Sequence, residues 1–175
     1  MIILSEARIY VGTYAKYNDG SIEGDWLDLD RFSNIEEFYE ACEELHADEE
    51  DPEYMFQDYE NIPEGLINES WFSSNFFEVR DGLDQLEEKE LEPFFIWFNN
   101  GHYNLDSDDI DDLISSFKDE YQGQYDSDED FAREFVDLRD DLSDFARTYF
   151  DYEAYARDLF CGDYWSDNGY VFSSN

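Results

Sequence analysis

Two short acidic runs hold the most obvious ligand chemistry in this chain. "DSDDIDD" starts at Asp106 and supplies Asp106, Asp108, Asp109, Asp111 and Asp112. "DSDED" starts at Asp126 and supplies Asp126, Asp128, Glu129 and Asp130. Carboxylates at alternate positions could hold calcium, which takes roughly six to eight oxygen ligands. An EF-hand loop, however, needs an oxygen ligand where the first run has Ile110 and a turn glycine where the second has Phe131. Both runs also stand where helices are expected to begin, and acids suit the positive end of a helix dipole. Capping is the better account of both, with weak, unselective divalent binding alongside.

Other reactive groups are sparse. Paired carboxylates can hydrolyse glycosides, but with 48 acids in the chain a nearby pair is inevitable and carries no information. His46 and His102 lack a zinc-binding partner motif, and His46 lies in an acidic loop. Cys42 and Cys161 are far apart and in no metal-ligand spacing, so half-buried free thiols are expected. There is no glycine-rich phosphate loop, no G-x-S-x-G elbow and no Cys–His arrangement. The expectation is a protein that is not an enzyme, with no catalytic residue, no cofactor and no metal.

The elements that would position the acids can be read from periodicity. A strand is expected over 8–14, a turn at Asn18-Asp19-Gly20 and a second strand over 26–29. Ser33 with Glu36 reads as a capping box, opening a helix through Phe38, Cys42 and Leu45. A short strand is expected over 54–59. Helical pattern follows around Trp71 and over 75–91, with a break at Pro93 and a further turn or two closed by Gly101. Ser107 then caps a helix with Ile110, Leu113, Ile114, Phe117 and Tyr121 on one face and Gly123 at its end. Ser127 caps the next. There Phe131, Phe135, Leu138, Leu142 and Phe145 recur at helical spacing, which predicts one helix to about residue 148. Asp151 caps a last helix stopped by Gly162, and Asn168-Gly169 marks a hairpin.

The charge requires a separate explanation. Lys+Arg 10 against Asp+Glu 48 gives a net charge of −38, and the mean hydropathy is −0.74. Such values commonly mean disorder, but 19 % of residues are aromatic and each can bury a large area. A folded core working against strong self-repulsion is expected. Acidity disfavours nucleic acid and anionic lipid as direct ligands. No apolar run is long enough to span a membrane, and the opening "MIILSEA" lacks an export signal's basic start, so a cytoplasmic location is expected. Solubility or salt adaptation would explain an acidic surface. So would imitation of duplex DNA, which carries one charge per about 1.7 Å of axis. At that density 38 charges match about 65 Å of duplex, and a dimer about 130 Å.

Three segments then narrow the choice. "IYVGTYAKYNDGSIEGDWLDL", "DPEYMFQDYENIP" and "YFDYEAYARDLF" resemble the ArdA antirestriction family over about 9–172, most weakly over 66–125. The resemblance implies an acidic mimic of B-form DNA that occupies the DNA-binding groove of type I restriction-modification enzymes (methyltransferase core and specificity subunit) and protects incoming mobile DNA. It implies an α+β fold: an elongated chain of three small domains with a highly acidic surface, divided as 1–62 (β-rich with one helix), 63–105 (helical) and 106–175 (α/β, with dimer contacts). It further implies a homodimer. The expected mimic surface comprises the acids named above, Asp130 apart, together with Glu134, Asp137, Asp140, Asp141 and Asp144. Tyr149, Asp151, Tyr152, Tyr155 and Asp158 match the family motif near the dimer region; packing of a capped amphipathic helix would account for them equally. The rival expectation is an acidic protein that sequesters some other basic, nucleoid-type DNA-binding partner.

Overall fold

In β1 (Arg8–Thr13) the side chains alternate: Ile9 and Val11 are fully buried, whereas Arg8 and Tyr10 stand on the opposite face. This strand is the centre of an antiparallel sheet in the order β2 (Asp25–Asp28), β1, β3 (Tyr54–Glu60). Tyr10 pairs with Trp26 on one side and Asp58 on the other, and a bulge follows between Tyr10 and Val11. A Cβ on Gly24 would lie 2.3 Å from the Val11 carbonyl oxygen, so only glycine lets the chain enter β2 this closely. A helix not expected from the sequence, α1 (Tyr14–Asn18), precedes the anticipated turn at Asp19-Gly20. The Thr13 hydroxyl accepts from the Lys16 N–H and caps it.

The computed structural model describes residues 3–174, so the outer limits of the first and last expected segments fall outside it. The chain is mixed α+β, with eight α-helices and three small antiparallel sheets among the described residues. It packs as two compact units. One comprises Met1–Glu88 with Tyr103–Leu113, the other Lys89–His102 with Ile114–Asn175.

In the first unit, α2 (Ile35–Leu45) seats Phe38 and Cys42 against the sheet, where Phe38 meets the rings of Phe32, Tyr39, Phe56 and Phe72. Its cap is one residue later than expected. Asn34 accepts from Glu37 N–H at 2.9 Å, while Glu37 reaches back to Ser33 N–H at 2.7 Å. Cys42 is fully buried, which pushes its thiol up to about 12, and Cys161 is exposed; neither is half-buried. The helix expected around Trp71 is instead a hairpin of β4 (Ile67–Asn68) and β5 (Trp71–Phe72). Phe72 points into the aromatic core and Trp71 outward, the alternation of a strand. The helix expected over 75–91 is interrupted: α3 (Phe76–Leu83) ends, and α4 (Glu88–Asn100) begins after a turn. Pro93 lies inside α4 rather than ending it. Its ring is buried beside Phe94, and that burial offsets the loss of one backbone bond.

The second unit is built on rings from α4 and from α5 (Ile110–Glu120). Phe94, Trp97, Phe117 and Tyr121 pack in succession, and the Trp97 indole N–H donates to Glu120 at 2.6 Å. The α5 cap is Asp109, not Ser107: its carboxylate accepts from Asp111 and Asp112 N–H. The helix stops at Glu120, so Tyr121 and Gly123 belong to β6 (Tyr121–Gln124). That strand pairs with β8 (Tyr170–Ser173), which pairs with β7 (Tyr164–Asp167). Asn168 and Gly169 have φ of 51° and 83°, as a two-residue hairpin turn requires. Against this sheet lie α6 (Asp128–Asp137) and α8 (Tyr152–Leu159), through Phe131, Ala132, Ala156, Leu159 and Val171. A short α7 (Asp144–Thr148) separates them in sequence. Gly162 falls in the turn after α8. No described helix is long and apolar enough to cross a membrane.

The ring packing has a titration signature. Burial raises the phenols of Tyr39, Tyr121, Tyr125 and Tyr170 above their usual range and pushes Tyr54 up to about 12; a hydrogen bond to Glu69 chiefly raises Tyr14. The folded values are the higher ones. The stability these groups contribute is therefore whole below the unfolded tyrosine value of about 10, and is lost as pH rises through the folded values toward about 12. Near-ultraviolet circular dichroism should collapse across that window together with tyrosinate absorbance. Full ionisation of the tyrosines near pH 10 with the dichroism unchanged would contradict burial as the cause.

Candidate functional site

The carboxylates of α6 are fixed by its N-terminal chemistry. Ser127 accepts from Asp130 N–H at 3.1 Å, and Asp128, Glu129 and Asp130 occupy the first turn, where the helix dipole favours them. Asp128 accepts from the Ser166 hydroxyl at 2.8 Å, which ties this turn to β7. Glu129 pairs with Arg133, whose guanidinium lies 4.2 Å from the Tyr152 ring centre. Apolar burial on one side and capping at the start leave the acids pointing to solvent.

The single long helix expected from residue 127 to about 148 is not formed. It stops at Asp137, and 138–143 is a loop before α7. Charge repulsion opposes its continuation. In a continuous helix Asp137, Asp140, Asp141 and Asp144 would be neighbours three or four residues apart, and like charges at that spacing repel. Two arginines instead fold the segment. Arg147 donates to the carbonyls of Asp137, Arg139 and Leu142 and to the Asp137 carboxylate. Arg139 makes a two-pronged contact to Asp141 at 2.9 and 2.7 Å, which holds that carboxyl below the usual range. As a result Leu138, Phe145 and Tyr149 are 78 %, 75 % and 74 % exposed, although the first two were expected on the buried face.

The remaining expected positions divide between the units. Asp106, Asp108, Asp109, Asp111 and Asp112 belong to the first. Asp106 accepts from the Ser73 hydroxyl at 2.5 Å, Asp108 from Asn104 N–H at 2.7 Å, and Asp111 from Gln85 at 3.2 Å. Asp126, Asp128, Glu129, Glu134, Asp137, Asp140, Asp141 and Asp144 belong to the second. Of these thirteen, all but Asp108 and Glu129 are exposed. Among the motif residues, Asp151 caps α8 by accepting from Ala154 N–H at 3.0 Å. Tyr152 donates to the Arg147 carbonyl at 3.2 Å, and Tyr155 packs on Phe150. Asp158 is exposed, and the Tyr149 ring meets that of Phe145 at a tilt.

Sequence reasoning missed one built cluster. His46, at the start of the acidic loop, is 1 % exposed. Its Nε2–H donates to the Val11 carbonyl at 3.1 Å, since a carbonyl can only accept, and its Nδ1 therefore accepts from the Lys16 ammonium at 3.2 Å. The same ammonium meets Asp48 at 3.0 Å and Glu49 at 3.7 Å, and the Thr13 hydroxyl bonds Glu49 at 2.7 Å. The ligand atoms of His46, Asp48 and Glu49 lie within 4.8 Å of one another, a spacing that could hold a metal. Lys16 stands among them and supplies the cation itself. The cluster clips α1 and the loop after α2 to β1. Its only sequence signal is that Lys16 is one of ten cations in the chain.

Comparison with curated proteins finds no match. Comparison with protein-family models finds one for antirestriction protein (ArdA), matching residues 9–172. That span takes in all but the first residue of β1 and the last of β8, and every acid considered above, and the chain belongs to the ArdA antirestriction family.

Proposed function

We propose that this antirestriction protein acts as a mimic of duplex DNA. It occupies the DNA-binding groove of a type I restriction-modification enzyme, formed by the methyltransferase core and specificity subunit, in competition with DNA and without turnover. It works in the cytoplasm as a homodimer, with no cofactor and no direct contact to nucleic acid, and so protects incoming mobile DNA. The observation that carries this is the placement of the acids: eleven of the thirteen are exposed, and most of them are on capped helices or held by arginine contacts rather than carried on a tail. Anions held at fixed positions can match a rigid basic groove, and a fluctuating tail cannot. The three-domain, elongated arrangement is part of the same proposal. In its support, the segments 1–62, 63–105 and 106–175 each contain a sheet of their own.

The test is a competition titration on a type I methyltransferase core bound to a labelled duplex containing its site. Stoichiometric displacement at about one dimer per enzyme is expected, with steep weakening as salt screens the attraction. No displacement at large excess, with the enzyme still able to bind DNA, would direct attention to a basic nucleoid-type partner instead.

A further inference from the structure

We infer that the outer face of the first sheet is a receptor for an arginine side chain presented by a basic partner protein. A groove of about 680 Å³ opens there, lined by Tyr10, Tyr17, Trp26 and Tyr59 with Asp58 and Glu69 at its edge. This is an unusual surface for a chain so charged: Tyr17 is 51 % exposed and is not needed to fill the core on the other side of the sheet. The rings are held in place. Tyr10 shares its one hydroxyl hydrogen between the carbonyls of Ile22 and Gly24 at 3.0 and 3.1 Å and meets Trp26 edge-on at 5.6 Å. The acids each have one oxygen engaged, Asp58 by Tyr59 N–H and Glu69 by the Tyr14 hydroxyl, and among the described residues neither is in an ion pair.

The chain itself shows what this face accepts. Arg8, on the same outer side of β1, lays its guanidinium 4.4 Å from the Trp26 ring centre while bonding Glu60 at 2.8 Å. Aromatic ring plus carboxylate is thus already an arginine site two pairs along the register, on the same face, from Tyr10 and Asp58. A planar guanidinium can stack on a ring and fork to a carboxylate at once, which a strongly hydrated ammonium does poorly. The surrounding net charge of −38 favours a cationic occupant over any other. This deepens the function proposed above by naming a contact for a basic partner, and it rests on that proposal only for the partner's identity.

The probe is a short glycine-spaced arginine peptide, set against its lysine and citrulline counterparts at about physiological ionic strength. Binding is followed through the Trp26 indole N–H signal in the full chain. The arginine peptide is expected to bind about tenfold more tightly than the lysine one and to shift Trp26. Asp58→Asn with Glu69→Gln is expected to weaken it about tenfold, and Tyr17→Ser, at an exposed rim position, to weaken it without altering the spectrum elsewhere. Equal binding of arginine and lysine peptides, with Asp140→Asn and Asp144→Asn as damaging as the groove variants, would reduce the effect to diffuse attraction and overturn the site, as would no binding. Peptide binding without displacement of duplex from the methyltransferase would leave the groove standing and remove the restriction enzyme as its partner. Displacement without peptide binding would do the reverse.

Discussion

Changing Asp112, Asp126, Asp140 and Asp144 together to asparagine is expected to weaken duplex displacement about ten- to hundredfold, whereas Asp140→Asn alone stays within about twofold. The four are chosen because among the described residues their side chains make no hydrogen bond or ion pair, so nothing in the fold loses a partner. Each exposed charge facing a basic groove contributes on the order of 0.2–1 kcal/mol, and four together reach about 1–3 kcal/mol. Stability should change little: the net charge falls from −38 to −34 and self-repulsion is relieved, while Asp112 and Asp144 leave the first turns of α5 and α7, where the helix dipole favours them. A folding defect would lower binding and melting temperature together, so weakened binding at an unchanged melting temperature identifies charge as the cause. Asp137 and Asp141 do not belong in such a set: they hold Arg147 and Arg139, and neutralising them would also loosen 138–143. Abolition of displacement by any one substitution among the four would refute charge spread over many acids.

The same distinction explains how much of the molecule was legible in its sequence. Features decided within a few residues came through: the caps at Ser127 and Asp151, the Asn168-Gly169 turn, and the strand at β1. Caps at Ser33 and Ser107 were misplaced by one and two residues, because several short polar residues compete there and packing of the following helix chooses among them. Trp71 read as helical because a two-residue strand has no period of its own; its pairing partner Asn68 determines it. Pro93 read as a stop because its ring's burial beside Phe94 is a tertiary fact. The apolar spacing from Phe131 to Phe145 was real but insufficient. Helical period says where side chains would point if the helix continued, and Arg139 and Arg147 decide that it does not. For the candidate surface, residue identities were readable from charge, whereas which acids are anchored and which are free was not. The Lys16–His46 clip was invisible for a related reason: its parts come from three separated segments.

Leu138→Ser with Phe145→Ser is expected to convert the proposed homodimer to monomer at micromolar concentration, raising the dimer dissociation constant at least about a hundredfold. These residues form the most exposed large apolar group of the second unit, with the Tyr149 ring tilted against Phe145 at 5.0 Å. Exposed clusters of this kind ordinarily mark an interface. A two-fold interface uses each residue twice, so the double variant removes four apolar side chains, each worth on the order of 1 kcal/mol or more when buried in such a contact. The fold should hardly notice, since neither side chain fills the core and surface changes usually stay within about 0.5 kcal/mol. Phe131→Ser supplies the contrast: Phe131 is 4 % exposed, and its loss should unfold or melt the unit, at about 3–5 kcal/mol. Sedimentation equilibrium beside thermal melting separates the two cases. Inhibition should fall with the dimer, because a monomer matches about 65 Å of duplex charge rather than about 130 Å and forfeits the advantage of linked binding. A variant that stays dimeric with an unchanged dissociation constant would assign Leu138 and Phe145 to the partner enzyme instead. A native chain that is monomeric at every concentration would remove the homodimer, while the displacement experiment would still decide mimicry by the single chain.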